Sequence, residues 1–448
     1  MRNTAREQLS RKVITRYAAG SLATGGFSTL PGLVLVYYRT DTLGVVALAA
    51  GFMITMAKVW DVVIDPVIGG LSDRVLKEKG SRRGPMIAGV IGLPLSFLAT
   101  FAVPAGLSPF WSGTWVFVAF LLAATCFSLF QVPYIALPAE LTSKYVERTR
   151  LISWRVVVLT FSILLFGGGG PEIRGMFGSL YLGYFMMGAV SAILLFAGTL
   201  IAVTIVPKDQ PTSPAPREPI VSYYRGGYLA FKDSQPFRAL LTTFVIQALT
   251  TGLMLAGAQY VARWILHDEG AVTILFVCLI GPALLFAPVW KKVADRIGKE
   301  RAFAFSSITF LLATLCLVSL VFWPGYWIVA PVAVAGSAYA GMQTLPIAML
   351  PDVIAVDSRR GVDRAGIFGG VWTAGETTGM ALGTTVLTIV MALTGYIGST
   401  TLDTVVQPDS AITGIALTFS LLPAILMIIS LVTLTRYRLR QEDIDRDA

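Results

Sequence analysis

Charge is what this chain has least of. Asp, Glu, Lys and Arg make up 14% of its 448 residues, where a soluble chain of this length carries about 25%. Cysteine is scarce too: Cys126, Cys278 and Cys316 each stand alone in an apolar run, with no CxxC and no Cys/His cluster. That pattern supports neither a disulfide framework nor a metal site. The single histidine, His267, sits beside Asp268 and Glu269 and reads as a loop residue rather than a ligand. No nucleophile–base set, phosphate loop or cofactor motif is present, so an enzyme is not expected and no cofactor is called for. Hydrophobic residues fill the chain instead, at 55%, with a mean hydropathy of +0.71. This is the composition of a polytopic membrane protein. Met1–Arg16 is polar and basic and runs into a full-length span, so no cleavable signal peptide is expected.

Crossing about 30 Å of hydrocarbon takes about 20 apolar residues. Twelve runs qualify: 17–38, 43–68, 86–107, 113–137, 151–170, 179–206, 239–262, 270–290, 302–323, 326–350, 366–394 and 411–434. Gly167-Gly-Gly-Gly-Pro171 is expected to end the fifth. With the N-terminus inside, the cytoplasmic segments collect clusters such as Arg11, Lys12 and Arg16, then Arg74, Lys77, Lys79, Arg82 and Arg83, and later Lys291, Lys292, Arg296, Lys299 and Arg301. The other face receives only Arg39, Arg174 and Arg263. The positive-inside rule then places both termini in the cytoplasm of a multi-pass protein of the plasma (inner) membrane. It also accounts for the net charge of +9 without nucleic acid as a partner. The partners expected are the lipid bilayer and a small-molecule or amphiphilic substrate, bound by a monomer.

Pro207–Arg238 begins with a proline-rich run that reads as a linker, with a short interfacial helix possible over Tyr223–Phe231. It divides the chain into an N-terminal six-helix bundle (1–206), the cytoplasmic linker (207–238), a C-terminal six-helix bundle (239–434) and a cytoplasmic tail (435–448). An internal repeat supports the division: Asp73-Arg74 follows the second run and Asp295-Arg296 follows the eighth, in equivalent basic loops. An Asp ending a helix and paired with a neighbouring Arg can latch adjacent helices, so these four residues form a candidate cytoplasmic latch. The plainer reading is that such loops are basic in any case.

The second run holds Asp61 and Asp65, four residues apart and so on one helix face about one turn apart. An acidic side chain at bilayer depth costs roughly 2.5–3.5 kcal/mol on insertion scales, and two on one face mark a polar cavity holding a cation or a proton. Lys58, three residues before Asp61, can pair with it. The alternative is a structural Lys58–Asp61 ion pair with Asp65 capping a helix break at Pro66.

Twelve spans, a mid-chain linker and paired Asp-Arg loops resemble the major facilitator superfamily. Lys58-Val-Trp60-Asp61-Val-Val-Ile-Asp65-Pro66 resembles the [Arg/Lys]-x-x-Asp-x-x-x-Asp-Pro signature of its glycoside–pentoside–hexuronide:cation symporter family, which includes melibiose permease. The resemblance extends through Tyr37-Tyr38-x-Thr40-Asp41, Gln131-Val-Pro133-Tyr134, Arg155, Pro351-Asp352, Trp372 and Gly379-Met-Ala-Leu-Gly383. It implies an all-α integral membrane protein, twelve transmembrane helices in two pseudo-symmetric six-helix bundles, working as a cation-coupled secondary transporter by alternating access. It makes Asp61 and Asp65 the cation ligands, with Ser128 contributing a hydroxyl. Ile64 replaces the family's Asn between the carboxylates and removes an oxygen ligand that sodium would use, so proton coupling is favoured.

The family's sugar-binding Asp residues align with Gly25 and Gln131, its stacking Trp with Ile135 beside Tyr134, and its Lys of the eleventh span with Thr377, while Arg155 is kept. The expected substrate contacts are thus Gln131, Tyr134, Arg155, Trp60, Gly25, Glu376, Thr377 and Trp372, for a glycoside-like or less polar, amphiphilic cargo. Interhelical hydrogen bonding for Gln131 and Tyr134, interfacial anchoring for Arg155, and packing for Trp60 and Trp372 are the competing readings. Glu376 could meet a cationic group or carry a second proton. Symport leads; proton-driven export, lysolipid or glycolipid transport, and a non-transporting assembly role on the same scaffold are the alternatives.

Overall fold

The computed structural model describes residues 9–142, 145–206, 228–229, 231–358, 365–398, 405–437 and 439; the side chains of some helical positions, including Pro66, Asp73 and Lys77, lie outside the description. Most of the linker therefore lies outside it, including six of the nine residues of the short interfacial helix read over 223–231. Among the described residues there are twelve helices long and apolar enough to cross a membrane, and no strand. They are span 1 (Arg11–Thr42), span 2 (Ala47–Leu76), span 3 (Arg83–Phe101), span 4 (Pro109–Pro138), span 5 (Arg150–Gly175) and span 6 (Leu180–Val203). Span 7 (Gln235–Trp264), span 8 (Ala271–Ile297), span 9 (Lys299–Val321), span 10 (Tyr326–Ile354), span 11 (Phe368–Leu393) and span 12 (Asp409–Leu434) follow. Each falls on one of the apolar runs in the sequence. Helix is the required answer here, because an apolar segment in lipid must satisfy its own backbone polar groups.

Two boundaries differ from the sequence reading. The helix of span 5 does not stop at the Gly167–Pro171 run; it continues through it to Gly175. Proline removes one helical hydrogen bond, which membrane helices tolerate, and the small residues admit a neighbour: a Cβ on Gly170 would lie 2.5 Å from Cδ1 of Leu30 in span 1. The helix of span 2 likewise runs unbroken through Pro66 to Lys79. That removes the alternative in which Asp65 caps a break at Pro66.

The chain gathers into two compact units, one of Met1–Pro31 with Val59–Glu218 and one of Gly32–Lys58 with Pro219–Ala448. In the first, Phe27 of span 1 stacks on Phe120 and Phe127 of span 4, with ring centroids 5.7 and 4.4 Å away. In the second, spans 7 and 11 approach through small residues; a Cβ on Gly383 would overlap the carbonyl oxygen of Leu249. The stretch 32–58 belongs by chain order to the first six spans, yet it packs within the second unit. The reason is a polar network at the end of span 1. There Tyr38–Thr42 forms a π-helical turn that is wholly buried.

Candidate functional site

Asp61 lies at the midpoint of the 30-residue span 2, and Asp65 one turn further on, both half-buried and both in the first unit. Two contacts align span 2 with span 4. Trp60 Nε1 donates to Thr125 Oγ1 at 2.9 Å, and a Cβ on Gly69 would meet Val132 Cγ1 at 3.7 Å. These contacts bracket Asp61 and Asp65 on one helix and Ser128 on the other, so the three share one depth. Ser128 is 3% exposed, as an inward-facing hydroxyl must be. Trp60 spends its indole N–H on this helix contact. Lys58 is the last residue of the stretch that belongs to the second unit.

A second polar cluster in the first unit joins spans 1, 4 and 5. Tyr134 is fully buried, stacks on Tyr17 at 4.8 Å, donates to the Tyr17 carbonyl at 2.7 Å and lies 3.2 Å from Ser21 Oγ. The Arg155 guanidinium sits over the Tyr134 ring, 5.5 Å from its centroid. Arg155 is half-buried, its Nε has no hydrogen-bond partner among the described residues, and none of their ion pairs involves it. Gln131 Oε1 accepts from Thr24 Oγ1 at 2.8 Å. Gly25, beside Thr24, stands in a helix contact: a Cβ there would come 2.5 Å from Cβ of Ser162 and 3.0 Å from the Leu159 carbonyl oxygen. Tyr134 and Gly25 are thus enclosed by helices, while Gln131 and Arg155 keep partial exposure.

The span 11 residues belong to the second unit. Trp372 is 4% exposed and stacks on Phe244 of span 7 at 4.3 Å, with its Nε1 lacking a hydrogen-bond partner among the described residues. Glu376, one turn on, is half-buried and hydrogen-bonded by Gln343 of span 10. Thr377 is exposed, and its hydroxyl donates to the carbonyls of Thr373 and Ala374 in its own helix.

At the helix ends carrying the basic loops, the Asp73 side chain lies outside the description, and Asp73 falls two turns inside a helix that ends at Lys79. Arg74 pairs with Glu78 at 2.7 Å. Asp295 and Arg296 are exposed at the end of a helix that Gly298 closes with φ +90°. Two other ion pairs occupy matching places. Arg82 at the start of span 3 meets Glu140 at the end of span 4 at 2.5 Å and also reaches Ser72 at 2.9 Å. Lys299 at the start of span 9 meets Asp352 at the end of span 10 at 2.7 Å. The signal was present in Ile135-Ala-Leu-Pro-Ala-Glu140 and Ile347-Ala-Met-Leu-Pro-Asp352, a repeat that ends each time in an acid.

The sequence reading also gave no role to the buried network of the π-helical turn. Asp41 accepts from Thr40 Oγ1 and Tyr396 Oη, both at 2.6 Å, and Thr40 lies 2.8 Å from Tyr260 Oη. Tyr37 is joined by Arg263 and Glu269. Burial, with the Asp41 carboxylate adding to it, pushes the Tyr396 phenol far above its ordinary range, so it remains a donor.

Comparison with known proteins agrees with this architecture. The chain is 26% identical to a glucuronide carrier protein homolog of Escherichia coli K12, over 97% of this chain and 93% of that protein. It is 25% identical to the human sodium-dependent lysophosphatidylcholine symporter 1, over 68% of this chain and 61% of that one. Its fold matches the crystal structure of a D-xylose–proton symporter with a TM-score of 0.71 at 12% identity, covering 96% of this chain and 98% of that one. The family model for MFS/sugar transport proteins matches residues 16–441. The chain therefore belongs to that family, the glycoside–pentoside–hexuronide:cation symporters of the major facilitator superfamily, and is a multi-pass membrane transporter, not an enzyme.

Proposed function

We propose that the protein is a proton-coupled symporter of a small organic solute, working as a monomer in the plasma (inner) membrane with both termini in the cytoplasm. The observation that carries this reading is the pair Asp61 and Asp65 at the midpoint of span 2, level with Ser128 and separated by Ile64 rather than by an oxygen-bearing residue. Sodium takes several oxygen ligands, whereas two neighbouring carboxylates hold one proton readily, because the second charge is disfavoured beside the first. Protonation removes the charge that makes a closed, dry site costly. Rocking of the two six-span halves, 1–206 and 239–434, about a midplane site then carries proton and solute together.

Arg155 and Gln131 are the solute contacts best placed for the work, since both are half-buried and Arg155 has no carboxylate paired to it among the described ion pairs. A guanidinium in that condition suits a solute with a carboxylate or an oxygen-rich ring. This supports a glycoside with an acidic group over a neutral galactoside. Tyr134 would act by positioning Arg155 through its ring, and Trp372 could offer its indole N–H to an acceptor.

The test is uptake into proteoliposomes of a glucuronide, a neutral glycoside and a lysophospholipid, each under a proton gradient or a sodium gradient. Expected is proton-driven accumulation of the glucuronide without sodium, lost in Asp65→Asn and reduced about 10-fold or more in Arg155→Gln, the share of a charge-assisted bond. Sodium-dependent uptake would overturn the ion assignment. Lysophospholipid uptake alone would favour the amphiphilic cargo, and gradient-driven efflux alone would favour export. No transport of any of the three, with the Asp variants indistinguishable in cells, would favour an assembly role.

A further inference from the structure

Span 11 has one charged residue in its 26 positions, Glu376. It sits three residues from Thr373 and next to Thr377, both exposed, so the three make a polar flank on an otherwise apolar helix. A polar flank on a membrane helix belongs on a water-filled path or a helix contact rather than on lipid. Against it stands span 10, where Gln343 hydrogen-bonds the carboxylate and its Nε2 also donates to Tyr339 Oη at 2.8 Å. Tyr339 and Gln343 are one turn apart, so the phenol of span 10 steadies the amide that meets Glu376.

Among the described residues Glu376 has no cationic partner. Among the described ion pairs none includes it. The neighbouring elements account for their charges elsewhere or at a distance. On span 10, Asp352 is taken by Lys299. On span 7, Arg238 reaches the Lys232 carbonyl, Tyr260 meets Thr40, and Arg263 meets Glu269 and Tyr37. Lys58 is the cation of the stretch that touches span 11 through Thr55 and Thr385, and the side chain that meets the Glu376 carboxylate is Gln343. Asp409 lies at the far end of span 12. A half-buried intramembrane carboxylate served by a neutral amide donor is stable in two forms: as an anion held by that amide, or as a neutral acid. It is poorly suited to hold a metal cation, which would need further oxygens.

We propose that Glu376 is a second proton-binding carboxylate of this transporter, held in the second unit by Gln343, whose amide is in turn bonded to Tyr339, and independent of Asp61 and Asp65. The carboxylate takes a proton from water on the polar flank and becomes a neutral acid; the proton returns to water when the flank is next exposed. The net change at the site is one charge, and no other group is altered. This goes beyond the coupling reading above, because it places a proton on span 11 as well as on span 2.

Infrared difference spectroscopy of the purified, full-length protein through an acid–base titration reads carboxylic acid carbonyl stretches directly and needs no solute. The expected result is a component that disappears in Glu376→Gln, persists in the Asp61→Asn, Asp65→Asn double variant, and changes frequency in Gln343→Leu, where the hydrogen bond is gone. Glu376→Asp, which keeps a carboxyl, should restore a component at a displaced frequency and so guards against misfolding of the Gln variant. A spectrum unchanged by Glu376→Gln, or a component removed equally by the double variant, overturns the proposal. Failure of the span 2 reading looks different: there the double variant would alter nothing.

Discussion

Asp268 stands exposed in the turn between spans 7 and 8 with two donors on its carboxylate. The Tyr326 hydroxyl donates to one oxygen and the Gly270 N–H to the other, at 2.8 Å for the latter. The Tyr326 hydrogen bond first, and then the backbone donors, hold its carboxyl below the usual carboxylate range. A depressed carboxylate contributes stability above its unfolded value of about 3.9 and loses it as pH falls through the folded value. The turn should therefore hold at neutral pH and open in acid, below about pH 4. Hydrogen exchange over Gly270–Thr273, corrected for intrinsic rates, checks this, and Asp268→Asn should exchange fast at neutral pH already; acid-insensitive exchange would count against it. The sequence assigns Asp268 no role, because its partner lies 58 positions away. Asp61 and Asp65 were legible because a charge in an apolar run is conspicuous in one dimension. Tyr134 and Gly25 were less so: the family resemblance puts both beside the solute, and only the neighbouring helices reveal that both are enclosed.

Helices were the most legible scale, since length and hydropathy alone fix a span, while their ends depend on contacts that no local pattern carries. The unbroken helices through Pro66 and through the Gly167–Pro171 run are cases where the helix contact overrides local propensity. The π-helical turn at Tyr38–Thr42 was invisible for the same reason, being held by Tyr260 and Tyr396 from more than two hundred positions away. The paired acids at the ends of spans 4 and 10 invite a comparison. Arg82 and Glu140 have side chains 12% and 21% exposed, against 44% and 22% for Lys299 and Asp352. Removing one partner of an enclosed pair costs about 3–5 kcal/mol, whereas an exposed pair contributes about 0–1 kcal/mol. Glu140→Gln should lower the thermal midpoint in detergent well beyond Asp352→Asn, where Lys299 keeps the Ala348 carbonyl as acceptor at 3.1 Å. Equal losses would mean that the two pairs do the same structural work despite their different burial.

For the whole molecule, the twelve-span architecture and the symporter family were readable from the sequence, and the cargo was not, because specificity rests on which polar groups face a common space. The transport cycle itself makes a demand that the structure can be held to. Within the second unit, the Thr55 hydroxyl of span 2 bonds to that of Thr385 in span 11, and one turn earlier a Cβ on Gly51 would overlap Oγ1 of Thr388. By chain order these are contacts between the first six spans and the last six, and alternating access by two repeats requires such a contact to open in one arrangement and close in the other. With Cys126, Cys278 and Cys316, all free thiols, replaced by Ser, a Thr55→Cys, Thr385→Cys variant should cross-link under mild oxidation. Proton-driven solute uptake should then fall to background and return on reduction, while each single variant keeps its activity under the same oxidant. Full uptake with the cross-link in place would show that spans 2 and 11 stay together at this level throughout the cycle, and the opening motion would have to be sought at the other end of the helices.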